Sequence, residues 1–185
     1  MKAGVLALQG DFREHAAMLA LAGATPIEVR TAAQLADVEC LVLPGGESTT
    51  ISKLARAYEL VEPIRARAAE GMPIFGTCAG MILMARRVDG LEPLLELMDI
   101  GVQRNAYGRQ VESFEADLTV ENIDHPVRGV FIRAPRITDL GPDVRVLAEH
   151  EGVPVVVEQG TMLVASFHPE LAGETALHSY LLEKV

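Results

Sequence analysis

Cysteine is scarce in this chain of 185 residues: Cys40 and Cys78 are the only two, they sit in different contexts, and such a pair reads as reduced thiols rather than a disulfide framework. Basic residues are also outnumbered. Sixteen Lys and Arg against 26 Asp and Glu leave a net charge of −10, an acidic surface that would repel a phosphate backbone, so nucleic-acid binding is not expected. No stretch approaches the roughly 18 apolar residues of a membrane span. The opening residues, Met1 to Leu8, are too short for a secretory apolar region with its cleavage site. These absences predict a soluble, cytoplasmic protein with no membrane attachment. The glycine-rich segments lack the lysine of a phosphate loop and the spacing of a dinucleotide fingerprint, and no Cys/His cluster has metal-ligand spacing. Neither a metal nor an organic cofactor is therefore expected. With no internal repeat, low-complexity tract or long linker, residues 1–185 are expected to form a single domain with a sizeable core.

Short apolar runs alternate with helical spacing in the first half. Residues 5–8, ended by Gln9-Gly10-Asp11, read as a strand, and Phe12, Ala16, Leu19 and Ala20 then recur at helical intervals. Residues 27–29, 40–43 and 74–75 are further strands. The third is closed by Pro44-Gly45-Gly46 before a helical stretch from Ser48, and the fourth precedes a helical stretch over 80–86. Strands without polar alternation are buried on both faces, which implies a parallel sheet covered by helices on each side. Beyond Asp99 the texture changes. Val111, Phe114, Ala116, Leu118 and Val120 alternate with polar residues, and 144–148, 153–158 and 162–167 follow, joined by turns at Glu151-Gly152 and Gln159-Gly160. This predicts antiparallel additions in the C-terminal half, with a final helix over 174–182.

The strongest chemical signal is Gly76-Thr77-Cys78-Ala79-Gly80 between a strand and a helix. Small residues two before and two after a nucleophile permit the sharp turn that lifts its side chain out of a sheet. The first turn of a helix would offer Cys78 N–H groups that stabilise a thiolate. Cys40, inside Glu39-Cys40-Leu41-Val42-Leu43, reads as core. A thiolate needs a base that later protonates the leaving amine, a task suited to histidine. His168 follows the apolar strand ending Val164-Ala165-Ser166-Phe167 and precedes Pro169-Glu170. In extended backbone, Glu170 would point to the same side as His168 and fix its tautomer. His15, His125, His150 and His178 lack such a setting and read as solvent-facing or partner-facing, with His15 the one of most interest. Pro44-Gly45-Gly46-Glu47-Ser48-Thr49 lies at another strand end. The N–H groups of Gly45 or Gly46 and of Ala79 are candidates for an oxyanion hole, because glycine lets a peptide plane take the needed orientation.

These three motifs, in the order Cys, His, Glu and across nearly the whole chain, resemble those of the class I, triad-type glutamine amidotransferases, whose glutaminase domain is a flavodoxin-like α/β sandwich. Leu8-Gln9-Gly10-Asp11-Phe12-Arg13-Glu14-His15, Arg104-Asn105-Ala106-Tyr107-Gly108-Arg109-Gln110 and Phe131-Ile132-Arg133-Ala134-Pro135 look specifically like the glutaminase subunits of pyridoxal 5′-phosphate synthases. The resemblance implies a three-layer fold and hydrolysis of L-glutamine by Cys78, His168 and Glu170. It also implies delivery of ammonia through a protected channel to a synthase subunit in a large hetero-oligomer. It makes Gly46, Glu47, Ser48, Arg104, Ile132 and Arg133 the glutamine-binding residues, and a guanidinium from Arg104 or Arg133 suits the substrate carboxylate. One departure stands out: residues 89–99 look shortened, with Glu96 where the family usually has glycine. A glutaminase serving another synthase and a cysteine hydrolase of related fold remain the alternatives.

Overall fold

A computed structural model describes residues 1–104 and 113–185. The first half runs β1 (Lys2–Leu6), α1 (Phe12–Leu21), β2 (Thr25–Val29), α2 (Ala32–Ala36), β3 (Cys40–Leu43), α3 (Ser48–Ala57), α4 (Val61–Ala69), β4 (Ile74–Thr77) and α5 (Ala79–Met84). There follow β5 (Ala85–Val88), β6 (Met98–Gln103), β7 (Phe114–Leu118), β8 (Val127–Phe131), β9 (Arg136–Leu140), β10 (Arg145–His150), β11 (Val153–Gln159), β12 (Met162–Ala165) and α6 (Ala176–Leu182). A 3-10 turn, Glu170–Ala172, lies between β12 and α6.

The central sheet has the order β10-β11-β12-β4-β3-β1-β2. Its strands from β2 to β12 are parallel, and β11 and β10 are added antiparallel at one edge. This is the doubly wound, flavodoxin-like arrangement, in which strand direction of progress reverses beside β1 and sites form at the carboxyl ends of the strands. Every residue of β3, β4 and β12 is buried, which explains their unbroken apolar sequences. Leu41, Leu43, Ile74 and Val164 join a core with Leu35, Ile51, Ile64 and Met81 from α2 to α5. Cys40, Val42, Phe75 and Leu163 face a second core with Leu19 of α1 and Leu177 and Leu181 of α6. Two small sheets, β5-β6-β9 and β7-β8, complete the fold.

The expected α/β architecture is present, with differences in detail. The helix expected over 80–86 ends at Met84, and Arg86 lies in β5, which pairs with β6. The segment 162–167 is not simply another antiparallel strand: β12 pairs antiparallel with β11 but parallel with β4, and so extends the parallel sheet. Val111 and residues 105–110 lie outside the described residues. Glu96 adopts φ 55, a left-handed conformation that favours glycine. Arg65 clamps this segment by donating to the carbonyls of Leu94 and Leu95 and to Glu96 Oε2 at 2.9 Å.

α3 begins where Glu47, extended at φ −97 and ψ 106, accepts hydrogen bonds from the N–H groups of Thr49 and Thr50. The hydroxyls of both threonines donate to the same carboxylate. These bonds, from the Thr49 and Thr50 side chains first, lower its pKa to about 2 against burial. A depressed carboxylate pKa contributes stability above the unfolded value, and that contribution is lost as pH falls through about 2. Glu47→Ala is expected to lower stability near neutrality by about 1 kcal/mol, the usual cost of a lost cap, since solvent screens most of the charge contribution. Thermal melts at pH 7 and near pH 2 check this: the gap from wild type should narrow in acid, and a constant gap would show that the carboxylate charge has no part in it.

Candidate functional site

Cys78 occupies the turn between β4 and α5 with φ 47 and ψ −102, a backbone state that costs an ordinary residue about 1–3 kcal/mol. Its N–H donates to the Ala165 carbonyl of β12 at 2.9 Å. The flanking glycines are required by close approach. A Cβ on Gly80 would stand 2.0 Å from the Leu43 carbonyl oxygen, and one on Gly76 would stand 2.7 Å from the Gly80 carbonyl carbon. The elbow expected from the spacing is thus formed, and its sulfur opens into a pocket. Cys40, by contrast, is fully buried in β3, and burial, with Glu39 adding to it, pushes its thiol up to about 12.

His168 lies just beyond β12, tied to β8 by reciprocal hydrogen bonds with Val130. Its Nδ1 meets Glu170 Oε1 at 2.7 Å, both side chains being buried. The geometry differs from the extended arrangement expected. Pro169 is helical, φ −69 and ψ −31, and Glu170 opens the 3-10 turn, so the carboxylate reaches Nδ1 from a turned chain and not an extended one. A second carboxylate is also close: Asp11 Oδ2 lies 3.3 Å from the same Nδ1. Burial opposes charge on His168, but Asp11, the Cys78 sulfur and Glu170 outweigh it and raise the imidazole to about 12. The pKa of Glu170 is raised chiefly by burial, with His168 pulling it the other way. Asp11, His168 and Glu170 bring ligand-type atoms within 4.8 Å of one another. They converge on a single imidazole N–H, however, which serves both carboxylates and leaves no lone pair for an ion.

A pocket of about 480 Å³ lies over these groups. Of the residues singled out in the sequence, Gly46, Glu47, Ser48, Cys78, Ala79, Arg104, Ile132, Arg133 and His168 line it. Glu170 stands behind His168, and Gly45 lies under the ring, where a Cβ would come 2.2 Å from His168 Cε1. The Gly45 carbonyl accepts from the Asp11 N–H at 3.1 Å. Gly46 has φ 151, open only to glycine, and the following Glu47 N–H donates to Gln9 Oε1 at 2.8 Å. Arg104 approaches Glu47 at 3.8 Å, while the carbonyl of Ile132 faces the Cys78 sulfur at 4.0 Å. Arg133 is held at φ 46. Two cationic side chains and the Cys78 thiol therefore share a cavity suited to a small carboxylate-bearing molecule.

Sequence reasoning missed Asp11 as a partner of His168: it lies in the loop between β1 and α1, beside a reversal in strand order that the sequence does not display. It also misjudged two histidines. His15 and His178 are not solvent-facing or partner-facing but completely buried. His15 Nε2 lies 2.9 Å from Thr77 Oγ1, and its Nδ1 lies 2.8 Å from His178 Nε2. His150 packs against Phe114 and Phe131, and His125 is exposed.

Known proteins are similar to this chain over nearly their whole length. A protein of Desulforudis audaxviator named pyridoxal 5′-phosphate synthase subunit PdxT is 52% identical, with 100% of this chain and 99% of that protein covered. Its namesake from Pelotomaculum thermopropionicum is 55% identical, covering 100% of this chain and 95% of its own. A crystal structure described as a glutamine amidotransferase superposes with a TM-score of 0.94 at 50% identity, covering 98% of this chain and 97% of the other. No helix among the described residues is long and apolar enough to cross a membrane. With residues 5–185 matched by its sequence profile, the chain belongs to the SNO glutamine amidotransferase family.

Proposed function

We propose that this chain is the glutaminase subunit of a pyridoxal 5′-phosphate synthase. It would act as one unit in the cytoplasm, hydrolysing L-glutamine and passing ammonia to a synthase subunit in a hetero-oligomer. The observation that carries the reading is a thiol on a strained elbow sharing a pocket with an imidazole held at 2.7 Å by a buried carboxylate. The relatives named as synthase subunits support the partner.

In the reaction, the Cys78 thiolate attacks the side-chain amide of glutamine. The N–H groups of Gly46 and Ala79, with Gly45 shaping the loop, meet the oxyanion. The imidazolium of His168, oriented by Glu170, gives its proton to the departing ammonia and leaves a γ-glutamyl thioester. The electrostatics then reverse. Part of what keeps His168 charged is the Cys78 sulfur, and acylation removes that contribution, so the ring becomes able to accept a proton from the water that releases glutamate. Arg104 or Arg133 would hold the substrate carboxylate, with Glu47, Ser48 and the backbone at Ile132 around the amino-acid end. No step requires a metal or organic cofactor.

Cys78→Ala is expected to reduce ammonia release from glutamine by at least about 1000-fold, measured with the synthase present, while the melting temperature stays near wild type. Activity within about tenfold of wild type would remove Cys78 as nucleophile. Gly46→Ala tests the oxyanion loop separately. Its Cβ would stand 2.7 Å from Gln9 Oε1 in a backbone state closed to alanine, so the peptide must turn. Loss of one oxyanion donor predicts a fall in kcat of about 100-fold or more. Unchanged kcat in a folded Gly46→Ala protein would eliminate this donor.

A further inference from the structure

Glu170 uses one oxygen on His168, and its other oxygen, Oε2, is buried without a closed hydrogen bond. The nitrogen facing Oε2 is Nε2 of His15, at 3.4 Å. The same Nε2 lies 2.9 Å from Thr77 Oγ1, and Thr77 immediately precedes Cys78. Behind it, His15 Nδ1 meets His178 Nε2 at 2.8 Å. Both of these histidines are entirely buried. An enclosed chain of this kind, running from the carboxylate to the nucleophile's own strand, has no part in the chemistry described above.

Its protonation follows from bookkeeping. Burial lowers the pKa of His15, with His178 and His168 adding to the effect. Burial also lowers His178 to about 4, opposed by the Glu174 backbone. Each ring is therefore neutral near pH 7 and carries one N–H. A carboxylate oxygen facing His15 Nε2 favours the proton on that nitrogen. His15 Nδ1 then accepts from His178 Nε2–H, and His178 Nδ1, which closes no hydrogen bond, is left bare although the Glu174 backbone would favour a proton there. The opposite tautomers would set the bare Nε2 lone pair of His15 against the Glu170 carboxylate, which is the costlier arrangement.

We propose that His15, backed by His178, is a positioning residue for the triad: its Nε2–H ties the free oxygen of Glu170 to Thr77, fixing the carboxylate and the Cys78 elbow relative to each other. This rests on the glutaminase reading of the site. The titratable groups around the carboxylate are Asp11 and His15 from the start of α1, Cys78 at the elbow, His168 beside it and His178 from α6. Arg128 on neighbouring β8 is engaged at the surface by Glu115 and Asp117. Withdrawing the His15 N–H removes a donor to Glu170, so the carboxyl protonates more readily and supports the imidazolium over a narrower range.

The test compares His15→Leu, which has no donor, with His15→Gln, whose amide can offer an N–H near the place of Nε2. Ammonia release from glutamine is followed with the synthase present, alongside the pH dependence of Cys78 alkylation by iodoacetamide. For His15→Leu, kcat should fall about tenfold, the worth of one hydrogen bond to a charged group, while KM stays within about twofold. The acid limbs of the kcat and alkylation profiles should both move up by about one pH unit. His15→Gln should recover most of the rate and return the profiles toward wild type. Wild-type kcat and unmoved profiles in His15→Leu, or a folded His15→Gln as impaired as His15→Leu, would overturn the proposal. If His15→Leu does not fold, Thr77→Val cuts the same tie from the strand side: lower kcat at unchanged KM supports the inference, and wild-type kcat overturns it. A wild-type protein that releases no ammonia from glutamine sinks the glutaminase reading instead, and the alkylation profiles still decide the role of His15.

Discussion

The buried contact between His168 and Glu170 is the constraint on which the site depends. An imidazole in an apolar interior loses its charge unless an anion holds it, and a carboxylate there protonates unless a cation holds it. Asp11, the Cys78 sulfur and Glu170 together favour the charged imidazole, and His168 in turn pulls against the burial that raises the Glu170 carboxyl. Three segments enforce the contact: β8 pins the backbone of His168 through Val130, Pro169 turns the chain, and the 3-10 turn delivers Glu170 to Nδ1. Breaking one partner would strand the other in a medium that cannot stabilise it.

The rest of the fold can be read as support for that pair. β1, β3, β4 and β12 lie side by side in parallel, so the segments after them carry Asp11, Gly45 and Gly46, Cys78 and His168 to the carboxyl end of the sheet. The loops are latched to one another by backbone contacts, Asp11 to Gly45 and Glu47 to Gln9. The elbow stores local strain at Cys78 and is held by glycine contacts too close for any side chain. The proposed nucleophile and base are thus tied to neighbouring strands by backbone hydrogen bonds, while the proposed oxyanion loop turns on glycine.

Most of this was legible in the sequence because it rests on short-range rules. Glycines two residues either side of a cysteine announce an elbow, and an unbroken apolar run such as 40–43 announces a strand buried on both faces. Glu96 at φ 55 likewise answers the expected glycine position. What escaped depended on contacts between distant segments. Asp11 and His168 are separated by almost the whole chain, and nothing local marks Asp11 as an acceptor. His15 reads as a polar residue on an amphipathic helix, and only the packing of α1 and α6 against β4 turns it inward. The contact of Glu170 with His168 was anticipated for a geometric reason that does not hold, since the chain turns at Pro169 rather than remaining extended.

The central claim is covalent: the Cys78 sulfur carries the glutamyl group. Rapid acid quenching of the synthase-bound protein during turnover, followed by peptide mass spectrometry, tests it most directly. The account predicts a γ-glutamyl adduct on the peptide containing Cys78, with none on the Cys40 peptide, that is lost when the quenched sample is treated with hydroxylamine, as a thioester is. Sustained ammonia release with no adduct on Cys78 at any quench time, together with an adduct elsewhere, would contradict it.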